Sequence, residues 1–535
     1  MLLPVLLMLA AQAPNEVPNT DTHFALPRFT TVEAWEKRKR DLRRQILFAA
    51  GLDPMPERTP LHAQIFGRIE TKDCSIEKVL IETMPGYYLG GNLYRPLHSN
   101  GRHPAVLNPH GHWTYGRLEN QPLYSGPTLG ANLARQGYVV FAWDMVGYND
   151  TAQTPHSFGT PAEQLWSFGP LGLQAWNALR ALDFVAGLED VDPARIAMTG
   201  ASGGATQTIL LAAMDDRISY FAPVNMISSI MQGGDVCENA PGLRIGTNNV
   251  EIAAMIAPKP LLMVSATGDW TRNTPTDEYP ALRRLYELYG KPENIETLQL
   301  DALHNFNKQN REAVYRFFAK HVLHDPNAAQ ITEKAAEIPL LQNMLALWGR
   351  PLPAGALNYD GIYAEWKRRP APANPRETLA LALDAHWPEV PVLTTGHQFR
   401  EGKGNPVLLV GVSPADAPAG RPTLLLMPPP PRDRGTKQFL TFNKSDDAMR
   451  VQDILNGLAW LHQNHPGTID LIGIGIQGSV AAEFAAVLAP IPLKLHADLA
   501  AFHGTDADFL KYFNVPGIQT AGGLAAAERL TSSLK

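Results

Sequence analysis

Two cysteines in 535 residues exclude a disulfide framework. Cys74 and Cys237 allow at most one bridge, and their spacing does not decide whether it forms. Charge is sparse, at 18% of residues, and balanced slightly to the acidic side with a net of −6, which argues against a nucleic-acid partner. No repeat of about 40 residues runs through the chain, so a propeller is excluded. The apolar start, residues 2–10, is too short to span a bilayer. What is present is an ordinary globular composition, 45% hydrophobic, with room for two or three domains.

That apolar start is followed by Ala11-Gln12-Ala13, which reads as a signal-peptide core with a small-x-small cleavage site, so residues 1–13 are expected to be removed on export. It lacks a basic segment before the apolar run, and Pro14 is an unfavourable residue after the cut. The one basic cluster, Lys37 to Arg40 with Arg43 and Arg44, falls in a predicted helix. Trp35, Leu42 and Ile46 recur there at helical spacing, so the cluster is expected to be a solvated face.

The chemistry is carried by residues 195–204, an apolar strand running into Gly200-Ala201-Ser202-Gly203-Gly204 and then a helix-forming stretch. A serine on a sharp strand-to-helix turn takes strained dihedrals, and side chains at its flanks would collide. The turn lifts the hydroxyl above the sheet and aims the N–H of Gly203 at a developing oxyanion. A partner acid and histidine should then follow in that order at later strand ends. The run from Pro260 to Ala266 ends in Thr267-Gly268-Asp269, and the run from Ile295 to Leu300 ends in Asp301-Ala302-Leu303-His304. Ser202, Asp269 and His304 are therefore the predicted catalytic residues. Asp301 competes as the acid, but it follows the same strand as the histidine.

The oxyanion loop should come earlier, and Pro104 to Trp113 has that form, ending in His110-Gly111-His112-Trp113. His112 is predicted to supply the second oxyanion N–H beside Gly203. His110 and His112 also read as a metal pair, but no third ligand stands near them in sequence, so no metal and no cofactor are expected. The segment Gly233 to Arg244, with Trp113 and Trp270, is predicted to wall the substrate through Glu238, Asn239 and Arg244.

The sequence resembles the α/β-hydrolase superfamily, and more closely its bacterial acetylxylan-esterase-like carbohydrate esterases. The matches are Trp35-Glu-Lys-Arg, Pro56-Glu-Arg-Thr-Pro60, Gly91-Asn-Leu-Tyr-Arg-Pro96, the His-Gly-His stretch and His304-Asn-Phe-Asn-Lys308, covering residues 30–323. The resemblance implies a secreted or periplasmic serine esterase that removes acyl groups, acetyl foremost, from plant-type polysaccharides. Some carbohydrate esterases of similar shape resemble pectin methylesterases instead. A serine peptidase of the prolyl-oligopeptidase kind and a glycan-binding scaffold are the rival readings.

The expected architecture is a doubly wound, mostly parallel α/β-hydrolase sheet followed by a smaller, degenerate α/β-hydrolase-like domain. Residues 14–100 should form a helix and an antiparallel extension, 101–323 the catalytic core, 324–338 a linker and 339–535 the second domain. In the latter, Pro422 to Met427 aligns with Pro104 to Pro109, which sets the prolines 428–431 at the place of His110 to Trp113. Proline has no backbone N–H, so these residues offer an oxyanion no donor. Gln477, in Gly475-Ile-Gln-Gly-Ser479, stands where a nucleophile would be, and too little chain follows it for an acid and a histidine strand.

Overall fold

The structure is a computed structural model that describes residues 17–97, 101–393, 397–411, 418, 420–427, 431–432 and 435–534. The predicted signal peptide and prolines 428–430 lie outside the described residues. The first sheet has nine strands: β1 Gln64–Glu70, β2 Cys74–Met84, β3 Tyr87–Pro96, β4 His103–Leu107, β5 Val139–Trp143, β6 Val191–Ala201, β7 Tyr220–Val224, β8 Leu261–Gly268 and β9 Ile295–Leu303. Their order is β1-β2-β3-β5-β4-β6-β7-β8-β9. The first three strands and β5 pair antiparallel, and every pairing from β5 onward is parallel.

The central strands are continuous apolar runs because both faces are covered. Val139, Phe141 and Trp143 face a core shared with Trp35, Trp176 and Ile209, from helices Val32–Ala49, Pro170–Ala186 and Gly203–Met214. Val140 and Ala142, between them, face the opposite core with Leu129, Leu133, Val314 and Phe318, from helices Gly126–Arg135 and Lys308–His321. This alternation along one strand is the doubly wound sandwich read from the sequence.

The basic cluster is not simply solvated. Arg38 pairs at 2.8 Å with Glu251, a fully buried carboxylate, and Arg43 pairs with Asp216. These ion pairs dock the N-terminal helix on helix Asn249–Ala254, beyond β7, and on the loop after helix Gly203–Met214.

A second sheet contains β10 His397–Arg400, β11 Val407–Val410, β12 Thr423–Leu426, β13 Ile469–Gly473 and β14 Leu493–His496, in the order β10-β12-β11-β13-β14. Only β10 runs antiparallel. Order and direction repeat β3-β5-β4-β6-β7 strand for strand. The repeat corrects the sequence alignment: Pro422 to Met427 matches β5, not β4, so the proline run does not follow the oxyanion-bearing strand. The elbow shifts as well. A β-carbon on Gly204 would lie 2.3 Å from the Pro109 carbonyl oxygen beyond β4, and one on Gly478 would lie 2.6 Å from that of Val410 at the end of β11. By this contact Ile476 holds the place of Ser202, and by its positive φ of 64° at the start of the helix Gly475 does; Gln477 matches neither. Gln477 lies in the first turn of helix Gly475–Leu488.

The segment boundaries shift too. Residues 324–338 are fastened to the first unit, with Arg311 gripping Glu333 at 2.6 Å and the Lys334 N–H donating to Asn132. Met344, Ile362 and Trp366 belong to the cores of the first sheet, whereas the second core starts at Leu379 and takes in Phe48 and Leu165 from the first unit. Apolar burial, which the sequence pattern could not apportion between two cores, decides these boundaries.

Candidate active site

Parallel strands share one C-terminal edge, and β4, β6, β8 and β9 each deliver one predicted residue set to it. Ser202 ends β6 and caps helix Gly203–Met214 with φ 56° and ψ −124°, a left-handed conformation that an L-residue holds only under constraint. Its N–H donates to the Val224 carbonyl of the neighbouring strand at 3.1 Å. Gly203 begins the helix, so its N–H has no partner within the helix, and the positive end of the helix dipole lies at the serine. The loop after β4 closes on this turn. A β-carbon on Gly111 would lie 2.6 Å from the Ala201 carbonyl oxygen and 3.0 Å from the Ser202 β-carbon, so only glycine permits the approach. The His112 ring in turn lies against Gly203.

Asp269 follows β8 with its carboxylate nearly buried. One oxygen accepts the Thr271 N–H at 2.7 Å and the Thr271 hydroxyl at 2.5 Å, and the other lies 2.9 Å from His304 Nδ1. An Nδ1–H donated to Asp269 leaves Nε2 as the proton acceptor, the tautomer that a general base needs. Asp301 is exposed and accepts from Thr267, so it does not compete for the histidine. Trp270 packs on the His304 ring at 4.4 Å between centroids, and Trp113 lies parallel to it at 6.4 Å while stacking on Tyr124 at 5.0 Å. Both indoles flank the histidine.

The predicted substrate wall is corrected. Glu238 is buried and accepts N–H groups from Gly234 and Asp235. The Asn239 amide donates to the Gly233 and Asp235 carbonyls. Arg244, 1% exposed, spends its guanidinium on Asn249, Asn239 and the Glu238 carbonyl. These residues brace their own loop, which the second unit covers: Gly242 and Arg244 donate their N–H groups to the carbonyls of Leu440 and Thr441. No local sequence pattern marks that cover. Exposed apolar side chains the sequence reading missed stand near the site: Tyr115 and Leu123 beyond β4, and Leu303 at the end of β9 beside His304. The Leu123 carbonyl is tied to the Phe306 N–H at 2.7 Å.

The His110–His112 metal pair does not form. His110 is buried, its Nε2 accepts the Met145 N–H at 2.9 Å, and its Nδ1 lies 2.7 Å from the Gly111 carbonyl. Both nitrogens are engaged, and burial holds the imidazole neutral by lowering its pKa to about 3. The unfolded chain takes up a proton near the ordinary pKa of about 6.5, whereas the folded one resists until about 3. His110 therefore contributes stability above the higher value that is lost as pH falls through this window, at up to about 1.4 kcal/mol per pH unit. Denaturant titrations from pH 7 to 4 should show a steep fall in wild type and a shallower one in His110→Asn; parallel slopes would contradict a neutral buried imidazole. His112 points the other way, toward His156, Asp235 and Cys237. The two cysteines are free and both buried.

Behind the loop lies a charged network with no sequence signal. Arg117, 1% exposed, pairs with Asp144 and with Asp150 (2.6 Å) and donates to Asn92 at 2.8 Å. Asn92 lies in the Gly91 to Pro96 motif, which now has a structural role.

No family model matches the sequence. YtaP of Bacillus subtilis (strain 168), which carries the provisional name of hydrolase, is 28% identical over 257 residues, 44% of this chain and 82% of that protein. Among solved structures, the methylesterase BT1017 is 30% identical with a TM-score of 0.55, covering 63% of this chain and 75% of that one. A protein provisionally named an acetyl xylan esterase, BF1801 from Bacteroides fragilis NCTC 9343, reaches 16% identity and a TM-score of 0.44 over 54% of this chain and 81% of its own, too remote to bear on substrate.

Proposed function

The chain belongs to the α/β-hydrolase superfamily, and from that premise we propose that it is a serine esterase acting on ester groups of polysaccharides. The observation that carries the reading is the strained Ser202 at the same sheet edge as the His304–Asp269 pair. Ser202 attacks the ester carbonyl while His304 Nε2 takes its proton, and Asp269 stabilises the imidazolium. The N–H groups of Gly203 and His112 receive the oxyanion. His304 then returns the proton to the departing alcohol, and water, activated by the same imidazole, releases the acid and restores Ser202. None of these steps calls for a metal. A polymer substrate of this kind fits an exported protein, and no helix among the described residues is long and apolar enough to cross a membrane.

Two ester classes compete. The sequence resemblance points to acetyl esters, whose acyl-enzyme is a small acetyl group. The 30%-identical methylesterase favours a methyl ester of a sugar acid, in which methanol leaves and the sugar stays on the serine. Arg272, exposed three residues past Asp269, offers a cation for neighbouring sugar carboxylates. Incubating the protein with acetylated xylan and with methyl-esterified pectin, and measuring acetate and methanol, separates the two. One product should appear, and Ser202→Ala should abolish it; release of neither would overturn the polysaccharide assignment.

The second sheet fits a catalytically silent copy of the first. Ile476 and Gln477 offer no nucleophile at its elbow, and Ser479 is buried, donating its hydroxyl to the Gly473 carbonyl.

A further inference from the structure

Four metal-ligating side chains from three loops converge beside the elbow. His112 follows β4, His156 lies beyond β5, and Asp235 and Cys237 lie beyond β7. Their donor atoms all fall within 4.8 Å of one another. His112 Nε2 lies 3.2 Å from the Cys237 sulfur and 3.9 Å from Asp235 Oδ1, while His156 Nε2 lies 3.4 Å from that same oxygen. Tetrahedral zinc, with Zn–N of about 2.0–2.1 Å and Zn–S of about 2.3 Å, sets its ligands about 3.3–3.6 Å apart, so these three pairs are already near that spacing and the remaining ones, within 4.8 Å, need only draw inward.

Hydrogen bonding alone leaves the cluster unsatisfied. His156 Nδ1 is 2.6 Å from the Val146 carbonyl, to which its N–H donates. In the neutral ring Nε2 is then a lone pair, and that atom is buried without a hydrogen-bond partner while facing a carboxylate oxygen. Two acceptors turned toward each other are reconciled by a proton on Nε2 or by a metal cation between them, and the neighbouring thiol and second imidazole favour the metal. The Nδ1–H donated to a backbone carbonyl is also how metal-bound histidines are oriented. Two imidazoles, a thiol and one carboxylate suit a borderline-soft dication and not calcium or magnesium, which take oxygen ligands.

We propose that His112, His156, Asp235 and Cys237 bind one zinc-class transition-metal ion, with Nε2 of both histidines, a carboxylate oxygen and the thiolate as ligands. Binding displaces the thiol proton to solvent. Four protein ligands make the site structural. It ties the His110–Trp113 loop to the two loops beyond β5 and β7 and thereby fixes the His112 backbone beside Ser202. The expectation of no metal rested on separation along the chain, and folding removes that separation for His112 though not for His110.

The test is metal analysis of the full-length, tag-free protein grown with zinc, together with the spectrum of the cobalt-substituted form. About one zinc per chain is expected, with a thiolate-to-cobalt charge-transfer band in wild type. Cys237→Ser should lose the band, and His156→Gln should lower affinity at least tenfold. Ser202→Ala should keep the full metal content, which separates this site from the esterase assignment. If either ligand variant fails to fold, the wild-type zinc content and cobalt spectrum decide alone. Folded wild type with only trace zinc and no thiolate band on cobalt addition would overturn the proposal and leave a hydrogen-bonded His–Cys–Asp cluster.

Discussion

Ser202→Ala is expected to lower kcat for ester hydrolysis by about a millionfold, the loss seen when a serine nucleophile is removed from a hydrolase that keeps its other groups. The residual rate would come from the Gly203 and His112 N–H groups and from substrate binding. The fold should survive. The strain at Ser202 lies in the backbone, φ 56°, and alanine at that angle meets the same cost as serine. The turn is held by neighbours, among them Gly204 against the Pro109 carbonyl and the Ser202 N–H on Val224. Thermal melting within a degree or two of wild type, with activity near background, is the expected pair of results. Activity within tenfold of wild type would place the nucleophile elsewhere.

Arg117→Ala is expected to cost about 3–5 kcal/mol of stability, the penalty for removing one partner of a buried ion pair. Asp144 and Asp150 would be left together with no cation between them, each nearly inaccessible to water. Burial already pushes the Asp144 carboxyl up to about 6 despite the guanidinium beside it, so the site is costly to charge even when paired. Asp150 also accepts the N–H groups of Ala346 and Leu347 at 2.8 and 2.9 Å, so the loss would reach the segment that crosses toward the second unit. Urea unfolding measures it. Adding Asp144→Asn to the Arg117→Ala background should recover part of the loss by removing one stranded charge. A single-variant change below about 1 kcal/mol would show that water reaches the pair.

The sheet, its helices and the Ser202, Asp269, His304 order were legible because each leaves a local mark: an apolar run, a glycine-flanked serine, a carboxylate or imidazole just past a strand. Contacts between distant segments leave none. Glu238, Asn239 and Arg244 read as a polar wall facing the substrate, yet the stretch around Leu440 and Thr441 covers their loop, and their polar atoms turn inward. Arg117 and Asp144 look like any surface charges until the segments that follow β4 and β5 meet. His112 and Cys237 are 125 residues apart and meet at 3.2 Å. The repeat in the C-terminal half was visible in outline, but its register was not. Pro422 to Met427 is as apolar as either candidate strand, and only the pairing of β11 with β13 shows which one it matches.

The central claim is that Ser202, activated by His304, is the attacking group. Treating the wild-type protein with a fluorophosphonate and mapping the adduct by peptide mass spectrometry tests it directly. A single stoichiometric adduct on Ser202, with loss of ester hydrolysis in step with labelling and much slower labelling in His304→Ala, is the expected result. An adduct on another residue, or ester hydrolysis that persists after Ser202 is fully labelled, would contradict the account.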